Sequence, residues 1–457
     1  MTEKNAKKVI NFQSLTEKVG RFDISGSQAM FLIPEMNRIG GHLLAATFRG
    51  FGIRSRVIGT YKGLDLGKEH TSGKECYPCQ ITTGDILYFL KKEKERLGKD
   101  FLPQNYIYFM PEAGGPCRFG MYNKYQRIVL DSFPEFRHVK IGSLTTSDGY
   151  SLDGLINPER VSGLRKAGYL SIVVTDVLER LLWRIRPYEI KPGITDEFIE
   201  KSMHIMEACF ERYGAQQRFD KIIDRLESLI EEGKSLIKPD LPRKPLIGIV
   251  GEIYLRHHVH ANQDLIRLLE HYGAEVVNAS LAEWVNYTSY DRLREAKTAF
   301  RFSLKQMHLN SLKAHLKDIL KYGGDLLYQQ QKQKQVYKRA EKLIDIQPDH
   351  KVGHLEEILK ENDIYSFDAG TEACLSISGI IQYAREGFNG VVNVYPFTCM
   401  PSTITSAIIK PLMNELRIPY LDTPYDGSFQ PGREAAIRTF MYQAIQHFNR
   451  NGGKPSH

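Results

Sequence analysis

Short apolar runs alternate with stretches of helical spacing at both ends of this chain, and that alternation limits the folds open to it. Residues 30–34, 53–58, 106–110 and 138–141 are compact apolar runs. Between them, 41–48, 83–97 and 125–133 repeat apolar residues at helical spacing, the second with Thr82 or Thr83 as its cap. Strands that alternate with helices argue for a parallel sheet. The pattern returns later: strand 246–250, helix 264–272 and strand 274–277 form a βαβ unit. Strand 391–395, helix 403–416, strand 419–421 and helix 433–448 follow, with a fraying tail from Asn449.

The middle of the chain reads differently. From 157 to 238 the spacing is helical, with Ile172, Val173, Val177, Leu178, Leu181 and Leu182 along one stripe. Pro239, Pro242 and Pro245 then stop any helix, which places a domain boundary there. A second helical stretch covers 290–346 and carries the polar tract Gln329-Gln330-Gln331-Lys332-Gln333-Lys334-Gln335. The fold class expected is α/β: two Rossmann-like parallel-sheet domains, an intervening helical segment and a metal cluster at the interdomain cleft. The divisions are 1–156, 157–238 and 246–457, the last with a long helical insertion.

A chain of 457 residues is too long for one core. Its 42% hydrophobic and 25% charged residues are ordinary for a globular protein. The net charge of +8 is spread along helices, as in Lys91-Lys92-Glu93-Lys94-Glu95-Arg96, and reads as solvated helix faces. It points to no nucleic acid, yet tolerates an anionic partner such as a nucleotide or a CoA ester. No run of eighteen apolar residues spans a membrane, and Met1-Thr2-Glu3-Lys4-Asn5 lacks the apolar stretch of a secretion signal. The expected location is the cytoplasm, where six cysteines suit metal binding or redox chemistry better than disulfides.

Four of those cysteines sit in loops beyond strands or near the first turn of helices: Cys76, Cys79, Cys117 and Cys399. A helix N-terminus offers free N–H donors and partial positive charge to a thiolate. Ligands gathered beyond strand ends point into the crevice where open α/β sheets bind their ligands. Structural zinc uses two close ligand pairs, whereas here one pair is joined by two distant single cysteines, which suits an interdomain iron–sulfur cluster. Four ordinary core thiols are the plain alternative. Cys209 beside Met206 and Phe210, and Cys374 within Glu372-Ala373-Cys374-Leu375, read as packed core thiols.

Other candidates carry less. His257, His258 and His260 could bind metal or phosphate, but no partner ligand stands near them in sequence, so core or surface histidines are the expectation. Glu252, just past a strand end, and Arg118, next to Cys117, are the candidate catalytic residues; each also fits an ordinary salt bridge. Residues 63–69 have the wrong spacing for a phosphate loop and no Ser or Thr after Lys68, which excludes nucleotide hydrolysis there.

Glu75-Cys76-Tyr77-Pro78, Gly115-Pro116-Cys117-Arg118, Val250-Gly251-Glu252-Ile253, Gly370-Thr371-Glu372-Ala373 and Phe397-Thr398-Cys399-Met400-Pro401 together resemble a known family. It comprises the proteins associated with ATP-driven activators of 2-hydroxyacyl-CoA dehydratases, related to the dehydratase subunits themselves. The resemblance covers most of the chain except the helical middle. It implies a low-potential [4Fe–4S] cluster held by Cys76, Cys117 and Cys399, with Cys79 as a fourth ligand or, if Cys79 does not bind, one iron open to substrate. It also implies a partner, an ATP-hydrolysing activator with its own cluster, which passes an electron uphill to this chain within an oligomer. In the dehydratases that electron makes a ketyl radical of a CoA ester, which then loses hydroxide. The function expected is reduction or radical dehydration of a small or CoA-linked substrate. The alternatives are a non-catalytic electron carrier or accessory subunit, a double-cubane-type reductase, or a zinc-stabilised or metal-free interaction protein.

Overall fold

The structure, a computed structural model, describes residues 17–24, 28–307 and 309–451. The residues nearest the N-terminus, where the secretion-signal expectation falls, lie outside the described residues, as do 452–457 of the expected tail. In chain order the first half runs β1 (Val19–Gly20), β2 (Met30–Pro34), α1 (Arg38–Gly50), β3 (Ser55–Ile58), α2 (Leu64–Glu69), α3 (Tyr77–Leu97), β4 (Tyr106–Phe109), α4 (Tyr122–Asp131) and β5 (Lys140–Gly142). Three long helices follow, α5 (Pro158–Ile185), α6 (Ile194–Tyr213) and α7 (Phe219–Lys234). The second half runs β6 (Leu246–Gly251), α8 (Ile253–His257), α9 (Leu265–His271), β7 (Glu275–Asn278), α10 (Leu281–Lys305), α11 (Leu309–Ala340), α12 (Val352–Asn362), α13 (Thr371–Arg385), β8 (Gly390–Pro396), α14 (Met400–Leu416), β9 (Tyr420–Tyr425) and α15 (Arg433–Arg450).

Both sheets are wholly parallel, ordered β1-β5-β4-β2-β3 and β7-β6-β8-β9. The two share a pattern. β2 is flanked by the next strand in sequence, β3, and the one after, β4; β6 is flanked in the same way by β7 and β8. The strand succession therefore reverses beside β2 and beside β6, which opens a crevice at the carboxyl ends there.

Burial on both faces explains the apolar runs. Side chains alternate across a strand. Phe31 and Ile33 thus join Leu43, Phe48 and Val173 on one face of the first sheet, while Leu32 joins Leu87, Leu90 and Leu130 on the other. In the second sheet Leu246 and Val250 pack with Leu355, Ile377 and Ile409, and Ile247 and Ile249 pack with Leu265, Leu269 and Phe440. Each such fully buried side chain contributes about 1.5–3 kcal/mol.

Helix α3 begins six residues before the expected start, at Tyr77. Pro78 sits in its first turn, where the missing N–H has no helical partner to lose. The expected cap Thr82 lies inside the helix, its hydroxyl donating to the Pro78 carbonyl at 2.8 Å. The stretch 290–346 is not one helix. It breaks after Lys305, with Met307 at φ 58°, so α10 and α11 fold back on each other. Asp176 of α5 fixes the start of this hairpin: its carboxylate accepts the Leu281 and Ala282 N–H groups at 2.8 and 2.9 Å, helping to cap α10 from a separate element. No helix of the described residues is long and apolar enough to cross a membrane.

Candidate functional site

The loops after β2, β4, β6 and β8 border one cavity of about 1110 Å³. Cys76, Cys117 and Cys399 line it, together with Glu252 and Glu372. Cys76 is the residue before α3 and Cys399 the residue before α14. Cys117 precedes a single 3-10 turn, Arg118–Met121, that leads into α4. All three thiols thus stand where a helix begins, beside N–H groups without helical partners.

Arg118 joins the three segments. Its guanidinium donates to the Lys74 carbonyl at 2.6 Å, two residues before Cys76, and to the Thr398 carbonyl at 2.9 Å, next to Cys399. Its planar fork reaches two carbonyls at once, which a lysine ammonium on a flexible stem does not match. Arg118, a candidate catalytic residue by its position, thus straps the three loops together.

Backbone strain gathers here. Cys76 has φ 102° and ψ 147°, a region that glycine alone enters readily. The β-branched Thr371 (φ 67°) and Thr398 (φ 65°) precede Glu372 and Cys399. Gly251, before Glu252, has φ 112°, and an added Cβ would lie 2.2 Å from the Val394 carbonyl oxygen, so only glycine fits. Each strained non-glycine residue costs on the order of 1–3 kcal/mol.

The electrostatics oppose free thiolates. Burial pushes the Cys76 thiol up to about 11, with Glu252 adding to it, and the Cys117 thiol up to about 12, with Glu372 adding to it. Cys399 is raised by burial and by both carboxylates. Glu252 and Glu372 are themselves raised, by burial first. Glu252 accepts the Tyr254 and Leu255 N–H groups at 3.1 and 2.8 Å, and Glu372 accepts that of Ile253 at 2.9 Å. A cation or a positively charged group between these five side chains would reverse the balance, drawing the thiols toward thiolate. Among the described residues, no group of three or more His, Cys, Asp or Glu side chains is arranged to hold a single metal ion.

Cys79 is set apart. It is fully buried one turn into α3, with its sulfur 3.9 Å from the Thr83 hydroxyl, in a core shared with Ile86, Leu87 and Met110. It neighbours Cys76 but is not part of the cavity wall. Cys374 is buried against the Gly370 carbonyl at 3.3 Å and Cys209 is half-buried on α6; neither lines the cavity.

The histidines have protein partners. His257 Nδ1 lies 3.2 Å from Glu179, and His258 takes the Ala261 N–H at 3.1 Å on Nδ1 and lies 2.8 Å from the Thr60 hydroxyl on Nε2. His260 is exposed and stacks on Tyr61. Thr60 also bonds Asp85, whose other oxygen accepts the Tyr61 N–H at 2.7 Å. Burial pushes the Asp85 carboxyl up to about 7. A carboxyl raised in the folded state holds its proton there more tightly than in the unfolded chain. Its contribution is full below the unfolded value near 4 and is lost as pH climbs to about 7, a decline of about 4 kcal/mol. Asp85→Asn removes this titration. The stability difference between variant and parent in urea unfolding should shift by about that amount, in favour of the variant, from pH 4 to pH 7. A constant difference would refute it.

Glu372 stands in the Gly370-Thr371-Glu372-Ala373 segment without a role of its own in the sequence, and nothing in the sequence pattern singled out the aromatic residues Tyr150, Tyr169, Trp284, Tyr287 and Tyr328 that also line the cavity. Helical spacing marks a residue as inward-facing but does not say what it faces. No family model matches the chain, and no curated protein matches it.

Proposed function

We propose that this chain is an iron–sulfur redox component: a [4Fe–4S] cluster held by Cys76, Cys117 and Cys399 takes low-potential electrons from an ATP-hydrolysing activator and serves reduction or radical dehydration of a small or CoA-linked substrate. The observation that carries the proposal is the strap: Arg118, next to one cysteine, is bonded to the loops of the other two across 44 and 280 positions of sequence. A core thiol needs no such alignment. Strained backbone at Cys76 and beside Cys399 supports the same reading, since such strain gathers where function requires a geometry.

The donor set suits a cluster better than one ion. Cysteine thiolates are the ordinary ligands of iron–sulfur clusters, and a four-iron core is bulkier than a zinc ion, so its ligands stand farther apart. Its iron would supply the positive charge that three thiols beside two carboxyls lack. Three cysteines on the wall would hold it, while Cys79 lies in the core. When bound, the cluster supplies one-electron transfer at low potential. The chain's own part is to hold the sulfurs, keep bulk water away and offer the Glu252 and Glu372 carboxyls as proton donors beside the reacting atoms. The cavity volume favours a substrate-binding component over a bare electron carrier, because it reaches the upper range of ligand pockets.

Anaerobic purification or reconstitution tests this. The protein should be brown and oxygen-sensitive, with iron and sulfide at about four per chain. Cys117→Ser and Cys399→Ser should lower both, and Cys209→Ser should not. A colourless, iron-free protein after reconstitution ends the proposal.

A further inference from the structure

The far end of the α10–α11 hairpin has chemistry of its own. Its side-chain links to the rest of the chain lie near its base: Arg165 of α5 bonds Asp325 at 2.7 Å, Tyr169 of α5 bonds Asn286 at 2.8 Å, and Arg339 bonds Asp224 of α7 at 2.7 Å. Among the described residues, no hydrogen bond or ion pair joins a side chain between 296 and 321 to another element; Thr298 bonds within its own helix, to the Arg294 carbonyl.

That end keeps large apolar side chains in water. Phe302, Leu304, Met307, Leu316 and Leu320 are all exposed, Met307 by 83% and Leu320 by 69%. Grouped exposed apolar surface of this kind marks a contact with a partner. Phe302 and Leu304 are two positions apart on α10 and so leave it in nearly opposite directions. Met307 sits in the turn, and Leu316 and Leu320, four apart, share a face of α11. The end is thus apolar on more than one side.

The same stretch is strongly basic. Lys297, Arg301, Lys305, Lys313, Lys317 and Lys321 stand against one carboxylate, Asp318. Among the described residues none of the six pairs with a carboxylate; the ion pair of Arg292 with Glu295 lies below them. A second copy of this chain would set like charges against like. A rigid acidic protein face would match the charge, but one such face cannot meet Phe302, Leu304 and the turn together. An anionic bilayer does both. Lipid closes around every side of a shallowly inserted end, while the long lysine and arginine stems carry their charges back to the headgroups.

We infer that the end of the α10–α11 hairpin docks this protein on an anionic lipid surface, with Phe302, Met307 and Leu320 entering the interface and the six cations engaging headgroups. The contact is peripheral, because no helix of the described residues is long and apolar enough to cross a membrane. It rests neither on the cluster nor on what the cavity binds.

The test mixes the full chain with vesicles of phosphatidylcholine, alone or with about 30% phosphatidylserine, and follows binding by sedimentation. The anionic vesicles should bind roughly a hundredfold more tightly, and added salt should weaken them. Each cation near such a surface is worth about a fivefold change in affinity, so Lys313→Gln with Lys317→Gln should weaken binding about 25-fold. Lys91→Gln with Lys92→Gln removes the same charge from α3 and should change little. Phe302→Trp should be quenched by lipids with brominated acyl chains. Phe429→Trp, exposed on the loop after β9, should not be. Trp183 and Trp284 give both variants the same background. No preference for anionic vesicles, equal weakening by the α3 pair, or no quenching of Phe302→Trp overturns the inference. So does self-association that Leu316→Ser with Leu320→Ser abolishes, since a second copy then covers the stripe. Saturable binding of polyglutamate with Phe302→Trp unquenched identifies an acidic protein partner instead and overturns it as well.

Discussion

Gly84→Val should destabilise the protein by about 3 kcal/mol, the upper end of the ordinary range for overpacking. At Gly84 and Gly63 the backbones of α2 and α3 touch with no side chain between them. A Cβ on Gly84 would lie 2.0 Å from the Gly63 carbonyl oxygen, and one on Gly63 would lie 2.1 Å from that of Gly84. Gly67 is as tight, 1.9 Å from the Gln80 carbonyl oxygen. These obstacles are main chain, so no rotamer change relieves them and the helices must separate. Cys76 stands at the head of α3, so the same substitution should also lower iron content. Gly168, on α5, is the control of opposite sign: an added Cβ meets nothing within 4 Å, so Gly168→Ala should gain up to about 1 kcal/mol. Urea unfolding followed by circular dichroism measures both, and coincident midpoints for the two variants would refute the close-packing argument.

Arg118→Ala should leave the fold intact and open the site. The side chain is partly exposed, so its loss costs little global stability. What it removes is the pair of bonds to Lys74 and Thr398. With a charged donor each is worth about 1.5 kcal/mol, so the loops on either side should separate roughly tenfold more often. In the iron-free protein this should raise the rate at which a thiol reagent modifies Cys76 and Cys399 by about that factor, while Cys374, buried elsewhere, stays slow. In the iron-loaded protein, loss of iron to a chelator should quicken in parallel. Arg118→Lys should restore little, because one ammonium does not span two carbonyls in a fixed plane. Unchanged modification rates in Arg118→Ala would show that the loops hold their places without the strap.

Most of this architecture was legible because buried parallel strands must be apolar throughout. Residues 30–34 and 246–250 could hardly be anything else, and β2 and β6 lie there. Two boundaries were misread for definite reasons. Thr82 and Thr83 are good caps by type, yet the helix already starts at Tyr77, with Pro78 in its first turn. The turn at Gln306 and Met307 has neither glycine nor proline to mark it. At the site, Cys76, Cys117 and Cys399 were legible as loop residues before helices. The reach of Arg118 was not, because a side chain bonding a carbonyl 280 residues away leaves no local trace. Nor was the aromatic chamber, since Trp284 and Tyr287 look like any inward helix residues until α10 folds back against α11.

The conformation of Cys76 sets two demands on one position against each other. Glycine would sit there at ease and could make the folded chain firmer by on the order of 1–3 kcal/mol. It would also carry no sulfur. Screening this protein for heat resistance alone would therefore tend to reward the very replacement that empties the site, and the most robust variant recovered at residue 76 would be a well-behaved but inert one.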